Sequence, residues 1–311
     1  MGEGATPMLS GEKILITGPA GRIAFGLARS LVGDNDVWGI ARFSDPATRD
    51  KVEALGVTTR TLDIAGGHFD DLPNDFTYLL HLAADFSVDD YDQALRVNAE
   101  GTGFVLEHCR HAKAALVMST VTTYKPHPDP WHPFREDDPL GDAMAPPAHT
   151  YSISKIAEEA VARYCARSFD LPIVIARMCA AYGEMGGLAK WHLDAVAAGQ
   201  PVVTRSDPMP YSPIHDDDIA AQLEPLLDRA SVPAFITNWG GDEPVSVQQW
   251  SQYFGELLGV EAQVDVRPIP GASLGSVGDH ARRLAITGPC TVDWREGYRQ
   301  MARQYYPERV T

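Results

Sequence analysis

The chain has 311 residues, of which 44% are apolar and 22% are charged, so it can bury a sizeable core and is not a disordered protein. Its formal net charge is −16, and a surface this acidic repels nucleic-acid phosphates and anionic lipids. We therefore expect neither a nucleic-acid partner nor binding to a membrane. The four cysteines are scattered without a C-x-x-C pair, which is typical of free thiols in a reducing cytoplasm.

Short apolar runs recur along the first half of the chain, after a flexible leader predicted at residues 1–11. They predict strands at 13–18, 36–42, 57–64, 76–85, 114–120 and 171–178. Helical patterns follow the first strand through residue 31 and recur near 47–55, 91–111 and 151–168. Strands that alternate with helices predict an α/β fold, a Rossmann-type doubly wound parallel sheet.

The regular alternation ends near residue 180, and the remainder is richer in proline and loops. We expect residues 12–180 to form a dinucleotide-binding domain and residues 181–311 a smaller C-terminal substrate-binding domain. Parts of 212–240 are expected to return to the first domain. The second domain should lie over the carboxyl ends of the strands, where open α/β sheets bind ligands.

A glycine turn, TGPAGRIA at residues 17–24, joins the first strand to the first helix. Gly18 and Gly21 let the backbone approach a pyrophosphate closely, and the helix N-terminus supplies N–H donors. An ordinary strand-to-helix turn is the alternative. The strand–turn–helix–strand context favours dinucleotide binding.

The end of the second strand distinguishes NAD from NADP, because an acidic residue there binds the ribose hydroxyls of NAD. This chain instead has Ala41 and Arg42, with Arg22 available from the glycine turn. Arginine binds phosphate in a bidentate fork, so we expect NADP as the cofactor, with NAD as the alternative. Asp63 either contacts the adenine amino group or caps a turn.

Tyr151 and Lys155 are four residues apart on a predicted helix and therefore share one face. A cation beside a phenol lowers the pKa of the tyrosine, which makes Tyr151 a general acid or base near neutral pH. Thr120 ends a predicted strand, where its hydroxyl could bind the reacting oxygen. An ordinary surface pair is the alternative for Tyr151 and Lys155 taken alone.

Eight segments in order resemble the extended short-chain dehydrogenase/reductases, also called the NAD-dependent epimerase/dehydratase family. They are TGPAGRIA, LDI (62–64), HLAA (81–84), VNAEGT (97–102), STVTTY (119–124), YSISK (151–155), ARMCAAYG (176–183) and IHDDDIA (214–220). The resemblance implies that Tyr151 is the acid/base and that Lys155 holds the nicotinamide ribose. It places the catalytic hydroxyl at Thr120, beside Ser119. Asn98 either positions the active-site helix or a water, or is a packing residue.

The resemblance also implies the remaining site residues. Those expected to bind the cofactor are Gly18, Ala20, Gly21, Arg22, Ile23, Arg42, Asp63, Ile64, Leu82, Ala83, Ala84, Asn98, Tyr151, Lys155 and Met178. The candidates for the substrate side are Asp85, Phe86, Thr120, Tyr182, Trp191 and Tyr211, each of which could equally be a packing residue.

Three positions depart from the family pattern. Ala24 replaces the third glycine of the turn, which close helix–strand packing accepts. Val121 and Thr122 stand where sugar 4,6-dehydratases have an Asp-Glu pair, so that dehydration is not expected. Tyr211 stands where nucleotide-sugar epimerases have a diphosphate-binding arginine, which weakens the case for a nucleotide sugar.

Two histidine clusters resemble metal sites, but we expect no metal. His215 and the three aspartates after it are predicted to cap a helix. His127 and His132 lie in a proline-rich loop without suitably spaced acidic or cysteine partners.

Three functional hypotheses follow. The first is an NADP-dependent oxidoreductase of a small ketone, aldehyde or secondary alcohol, with Tyr151 as the acid/base. The second is an epimerase or isomerase of a sugar or nucleotide sugar with tightly bound NAD, and the third is a non-catalytic dinucleotide sensor. Relatives often dimerise through the helix at 151–168 and the helix that contains Asn98, so a homodimer is expected.

Overall fold

The computed structural model describes residues 9–86, 90–141 and 149–310; most of the predicted leader, residues 1–8, lies outside them. The strands are β1 Lys13–Thr17, β2 Asp36–Ala41, β3 Thr58–Thr61, β4 Tyr78–His81, β5 Ala114–Thr120, β6 Pro133–Phe134, β7 Ile173–Met178, β8 Ala180–Tyr182, β9 Val202–Thr204, β10 Pro210–Tyr211, β11 Pro213–His215, β12 Phe235–Trp239, β13 Val245–Ser246, β14 Val264–Val266 and β15 Val277–Gly278. The helices are α1 Arg22–Leu31, α2 Pro46–Ala54, α3 Tyr91–Leu95, α4 Gly101–His108, α5 Tyr151–Phe169, α6 Leu188–Ala197, α7 Asp216–Leu227, α8 Val247–Leu258, α9 Ala281–Thr287 and α10 Trp294–Tyr305.

Seven parallel strands form the central sheet, in the order β3-β2-β1-β4-β5-β7-β12. Every residue of β5 and β7 is buried, because helices cover both faces of the sheet. Helices α1 and α7 pack together on one face, and α4 and α5 pack together on the other. The sheet confirms the predicted doubly wound α/β fold.

The chain returns to this sheet after a long excursion, because β12 pairs with β7 over the whole length of β12. Between them, His215 begins α7 as expected of a helix cap. Its Nδ1 accepts a hydrogen bond from the backbone N–H of Asp217 at 3.2 Å. The three aspartates occupy the first turn, where carboxylates interact favourably with the helix dipole.

A second layer is built from α6, α8 and α10 around a separate apolar cluster. Trp250 and Phe254 of α8 and Tyr298 of α10 are buried at its centre, with their rings in contact. Within the described part of the chain, no helix is long and apolar enough to cross a membrane.

Three predicted elements end earlier or bend. The strand predicted at 57–64 ends at Thr61, because Asp63 caps a 3₁₀ turn by accepting a hydrogen bond from the N–H of Ala65. The strand predicted at 76–85 ends at His81. The helix predicted at 91–111 contains a π-helical segment, Arg96–Glu100. Just after it, the hydroxyl of Thr102 donates a hydrogen bond to the carbonyl oxygen of Asn98 at 2.6 Å.

Candidate active site

A cavity of about 500 Å³ lies at the carboxyl ends of β1, β2, β4, β5 and β7. It is continuous from the glycine turn to the start of α5. Its lining consists of Gly18, Ala20, Gly21, Arg22, Ile23, Ala24, Ile40, Ala41, Arg42, Leu62, Asp63, Ile64, Leu82, Ala83, Ala84, Phe86, Val97, Met118, Ser119, Thr120, Tyr151, Lys155, Met178, Cys179, Ala180, Ala181, Leu188 and Tyr211. This position is where ligands bind in open α/β sheets.

The glycine turn requires its glycines. Gly18 has φ +64°, and a Cβ there would lie 3.1 Å from the Cα of Ala83. A Cβ on Gly21 would lie 3.0 Å from the carbonyl oxygen of Gly18. Below the turn, Gly39 of β2 leaves room for Pro19, whose Cγ would be only 2.7 Å from an added Cβ. The turn therefore packs tightly against two strands and exposes its backbone to the cavity.

Helix α1 begins at this turn with its N–H groups available. Gly21 is the N-cap residue, no side chain caps the helix, and its first turn contains no acidic residue. The N-terminus thus has the partial positive charge and the donors that bind a pyrophosphate. These features fit a dinucleotide.

Arg22, predicted to be available for a 2′-phosphate, instead points toward α7. Its Nη1 lies 3.4 Å from Oδ1 of Asp216 and 3.5 Å from the carbonyl oxygen of Gly186. Burial raises the pKa of Asp216 to about 6, against the charge of Arg22. Because this ion pair joins residues far apart in the sequence, spacing alone did not reveal it.

The outer end of the cavity contains Arg42 and Asp63. Arg42 is exposed just after β2, and the next residue, Phe43, has the left-handed φ of +45°. Asp63 lines the cavity and caps the turn after β3.

The loop after β4 is held by a series of linked, buried hydrogen bonds. The hydroxyl of Thr17 accepts hydrogen bonds from the N–H groups of Leu82 and Ala83, each at 3.0 Å. It therefore uses its own hydrogen toward Nδ1 of His81, 3.0 Å away. Burial and the charge of Lys155 lower the pKa of His81 to about 3, so the ring is neutral.

The inner end of the cavity is lined by Thr120 and Tyr151, and the hydroxyl of Thr120 acts to lower the pKa of the tyrosine. Thr120 ends β5 and is oriented by the N–H of Thr122, which donates to it at 3.2 Å. The neighbouring Ser119 instead donates to Glu159 at 2.6 Å. This difference favours Thr120 as the hydroxyl that acts with Tyr151.

The environment of Tyr151 differs from the prediction that Lys155 lowers its pKa. Burial and the negative charge of Glu158 raise the pKa of Tyr151 well above its usual value, and the hydrogen bond from Thr120 opposes them. The Nζ of Lys155 is paired with Oε2 of Glu158 at 2.5 Å. The ring of Phe86 stacks on that of Tyr151, with centroids 4.7 Å apart.

Four predicted residues lie outside the cavity lining. Tyr182 is buried against Tyr298 in the second layer, and Trp191 is 70% exposed on α6. Asn98 binds the backbone of Asp85 twice, through an N–H···O contact of 2.7 Å and another of 2.9 Å. Asn98 also donates to Ser154 of α5 at 2.9 Å, so it joins two helices and the loop after β4.

Eleven lining residues were not predicted from the sequence. They are Ala24, Ile40, Ala41, Leu62, Val97, Met118, Ser119, Cys179, Ala180, Ala181 and Leu188. Most of them lie within two residues of a predicted site residue, at the ends of the strands, which is the signal that could have found them.

The second histidine cluster consists of two stacked imidazole rings beside an aspartate. The rings of His127 and His132 stack with centroids 3.9 Å apart, and His132 Nε2 lies 2.9 Å from Asp138. Among the described residues, no group of three or more His, Cys, Asp or Glu side chains is arranged to hold a metal ion.

Known proteins resemble this chain in sequence and in fold. A protein of Escherichia coli O111:H-, described as an uncharacterised 37.6 kDa protein, is 25% identical over 89% of this chain and 92% of its own length. The UDP-glucuronic acid 4-epimerase of Bacillus cereus, solved in complex with UDP-glucuronic acid and NAD, superposes with a TM-score of 0.81 at 21% identity, covering 95% of this chain and 99% of the epimerase.

Two further solved structures share the fold. The UDP-N-acetylglucosamine 4-epimerase of Methanobrevibacter ruminantium M1 superposes with a TM-score of 0.82 at 17% identity, covering 96% of this chain and all of that one. The dTDP-glucose 4,6-dehydratase of Streptomyces venezuelae gives 0.80 at 21% identity, covering 96% and 98%. The sequence model of the NAD dependent epimerase/dehydratase family matches residues 14–211. The chain therefore belongs to the NAD dependent epimerase/dehydratase family.

Proposed function

We propose that the protein is an epimerase of a sugar or nucleotide sugar that retains NAD through its catalytic cycle. The observation that carries the proposal is one continuous cavity with the glycine turn at one end and Thr120, Tyr151 and Lys155 at the other. The solved structures that share the fold include nucleotide-sugar epimerases bound to NAD and to UDP-sugars, which supports the same chemistry.

In this proposal the residues around the cavity divide the work. The glycine turn and the N-terminus of α1 would hold the pyrophosphate of NAD, and the bound nicotinamide would supply a hydride acceptor and donor. Tyr151 Oη removes the proton from a sugar hydroxyl and later returns it. The hydroxyl of Thr120 hydrogen-bonds the same oxygen and positions it, and the charge of Lys155 stabilises the phenolate.

An NADP-dependent oxidoreductase of a small carbonyl or alcohol is the second candidate. Arg42 favours it, because no acidic residue occupies the end of β2 where a carboxylate would repel a 2′-phosphate. Tyr211 also favours it, since the diphosphate-binding arginine expected of a nucleotide-sugar epimerase is absent from that position of the cavity lining.

The nucleotide released by the purified protein on denaturation tests the two candidates. An epimerase should release NAD at about one per chain, because the cofactor is recycled in place. An empty protein that then binds NADPH more tightly than NADH would contradict the proposal and favour the oxidoreductase. Release should be measured by chromatography of the supernatant after the protein is precipitated.

We also propose a homodimer in the cytoplasm. Helices α4 and α5 pack side by side and expose Phe104 and Tyr164, whose accessible fractions are 38% and 67%. Two exposed aromatic rings on adjoining helices favour a contact with a second copy.

A further inference from the structure

Glu158 lies one helical turn beyond Lys155 and has no role in the mechanism above. Its side chain is fully buried, and its Oε2 is 2.5 Å from Nζ of Lys155, which is itself 2% exposed. The other oxygen, Oε1, lies 3.5 Å from the hydroxyl of Thr102 and 3.7 Å from Nε2 of His81. An acidic side chain is therefore enclosed with the active-site lysine beneath the floor of the cavity.

The side chains next to this carboxylate direct their hydrogens to other acceptors, so few donors remain for Glu158. His81 uses Nδ1 to accept from Thr17, so its Nε2–H donates to Thr102 at 2.7 Å. The one hydroxyl hydrogen of Thr102 is directed to the carbonyl of Asn98 at 2.6 Å. Within the described residues, Lys155 is thus the cation whose charge stabilises the ionised form of Glu158.

The charged and titratable groups around Glu158 come from three elements. Helix α5 contributes Lys155, Tyr151 and Glu159, strand β4 contributes the neutral ring of His81, and strand β7 contributes Arg177. The Nε and Nη2 groups of Arg177 donate hydrogen bonds to Glu159 at 2.8 and 2.7 Å. Since Arg177 is occupied in this way, Lys155 is the cation that balances Glu158.

We propose that Glu158 is a positioning residue that controls the proton of Tyr151 through Lys155. When ionised, Glu158 holds Lys155 Nζ and its negative charge keeps Tyr151 in the phenol form. When protonated, it releases the charge of Lys155 to stabilise the phenolate. The acid/base role of Tyr151 belongs to the proposed function, on which this inference rests.

The surroundings of Glu158 support a change in its protonation within the physiological pH range. Burial raises the pKa of Glu158 to about 7, against the opposing effects of Lys155. The carboxyl therefore changes charge near neutral pH, and below that pH the phenolate of Tyr151 is easier to form because the nearby negative charge is gone.

The test replaces Tyr151 by a difluorotyrosine, whose phenol is acidic enough to titrate while the protein is folded, and follows the fluorine NMR shift against pH. Glu158→Gln should lower the pKa of that phenol by about one unit or more, since a nearby negative charge is removed. Glu100→Gln, an exposed control on the neighbouring π-helical segment, should leave it unchanged. An unchanged or raised pKa in Glu158→Gln overturns the proposal.

A second measurement does not depend on that variant. In the difluorotyrosine protein that keeps Glu158, the fluorine signal should show, besides the inflection of the phenol itself, a second inflection near neutral pH as Glu158 ionises, and Glu158→Asp should keep this second inflection. Its absence in the folded parent overturns the proposal. Neither titration needs substrate or cofactor, so failure here is distinct from failure of the proposed epimerase activity, which the released nucleotide tests.

Discussion

Two consecutive glutamates on α5 are both buried and both paired with a buried cation, yet their surroundings differ. Glu159 lies against β5 and β7 and accepts from Arg177 through two nitrogens and from Ser119, all at 2.6–2.8 Å. Glu158 faces the cavity floor and relies on Lys155. A carboxylate with a full set of donors is fixed in one charge state, whereas one with a single strong donor is able to change it.

The Glu159–Arg177 pair is part of a larger buried hydrogen-bond network. Arg177 donates to the hydroxyl of Tyr124 at 2.9 Å and to the backbone carbonyl of Glu136 at 3.1 Å, and Tyr124 donates to Asn238 of β12 at 2.7 Å. These bonds connect α5, β7, β12 and the loop after β5. Glu159 therefore ties α5 to the sheet, whereas Tyr151 and Lys155 of the same helix line the cavity.

The largest effect is expected at the cavity face. Tyr151→Phe should lower turnover of nucleotide sugars by about 10²–10⁴-fold, because the proton acceptor is lost. Stability should change by only about 1 kcal/mol, the value of one hydrogen bond. Steady-state kinetics and urea unfolding measure the two quantities. Activity within tenfold of the parent would show that Tyr151 is not the acid/base.

At Glu159 we expect the reverse, a large effect on stability. Glu159→Gln should lower the free energy of unfolding by about 3–5 kcal/mol, because Arg177 is left buried without its charged partner. Urea unfolding measures this loss, and Glu100→Gln should stay within about 0.5 kcal/mol of the parent. A loss below about 1 kcal/mol would remove the distinction between the two glutamates.

The smallest effect is a pH dependence of stability, which separates Glu158 from Glu159 further. The pKa of Glu158 is about 7 when folded and 4.5 in its ordinary state, so its contribution to stability is full below 4.5 and is lost as the pH rises through 7. The parent should lose up to about 3 kcal/mol between pH 5 and 8 from this group. Glu158→Gln should lack that loss in urea unfolding, and equal slopes for the two proteins would contradict the assignment.

Much of this architecture follows from patterns that are local in the sequence. The parallel sheet, the glycine turn and the pairing of Tyr151 with Lys155 on one helix depend on spacings within single elements. Even Glu158 had a local signal, because an acid three residues after a lysine shares its helix face.

The rest depends on contacts between distant segments. The pairing of Arg22 with Asp216, and the way Asn98 joins the loop after β4 to α5, bring together residues from separate elements. The family resemblance made Tyr182 and Trp191 candidates for the substrate side, with packing as the equal alternative. The first side chain packs against α10, however, and the second points outward.

The late arrival of β12 has a consequence for synthesis and for the design of fragments. Until Phe235–Trp239 leaves the ribosome, the apolar strand β7 lacks its neighbour and presents an unpaired edge. Such an edge is a template for strand pairing between nascent chains. A fragment that stops near residue 180, where the nucleotide-binding part was predicted to end, would retain that edge permanently and should aggregate. The part of the chain predicted to bind the nucleotide should therefore be expressed as an independent unit only if β12 is supplied with it.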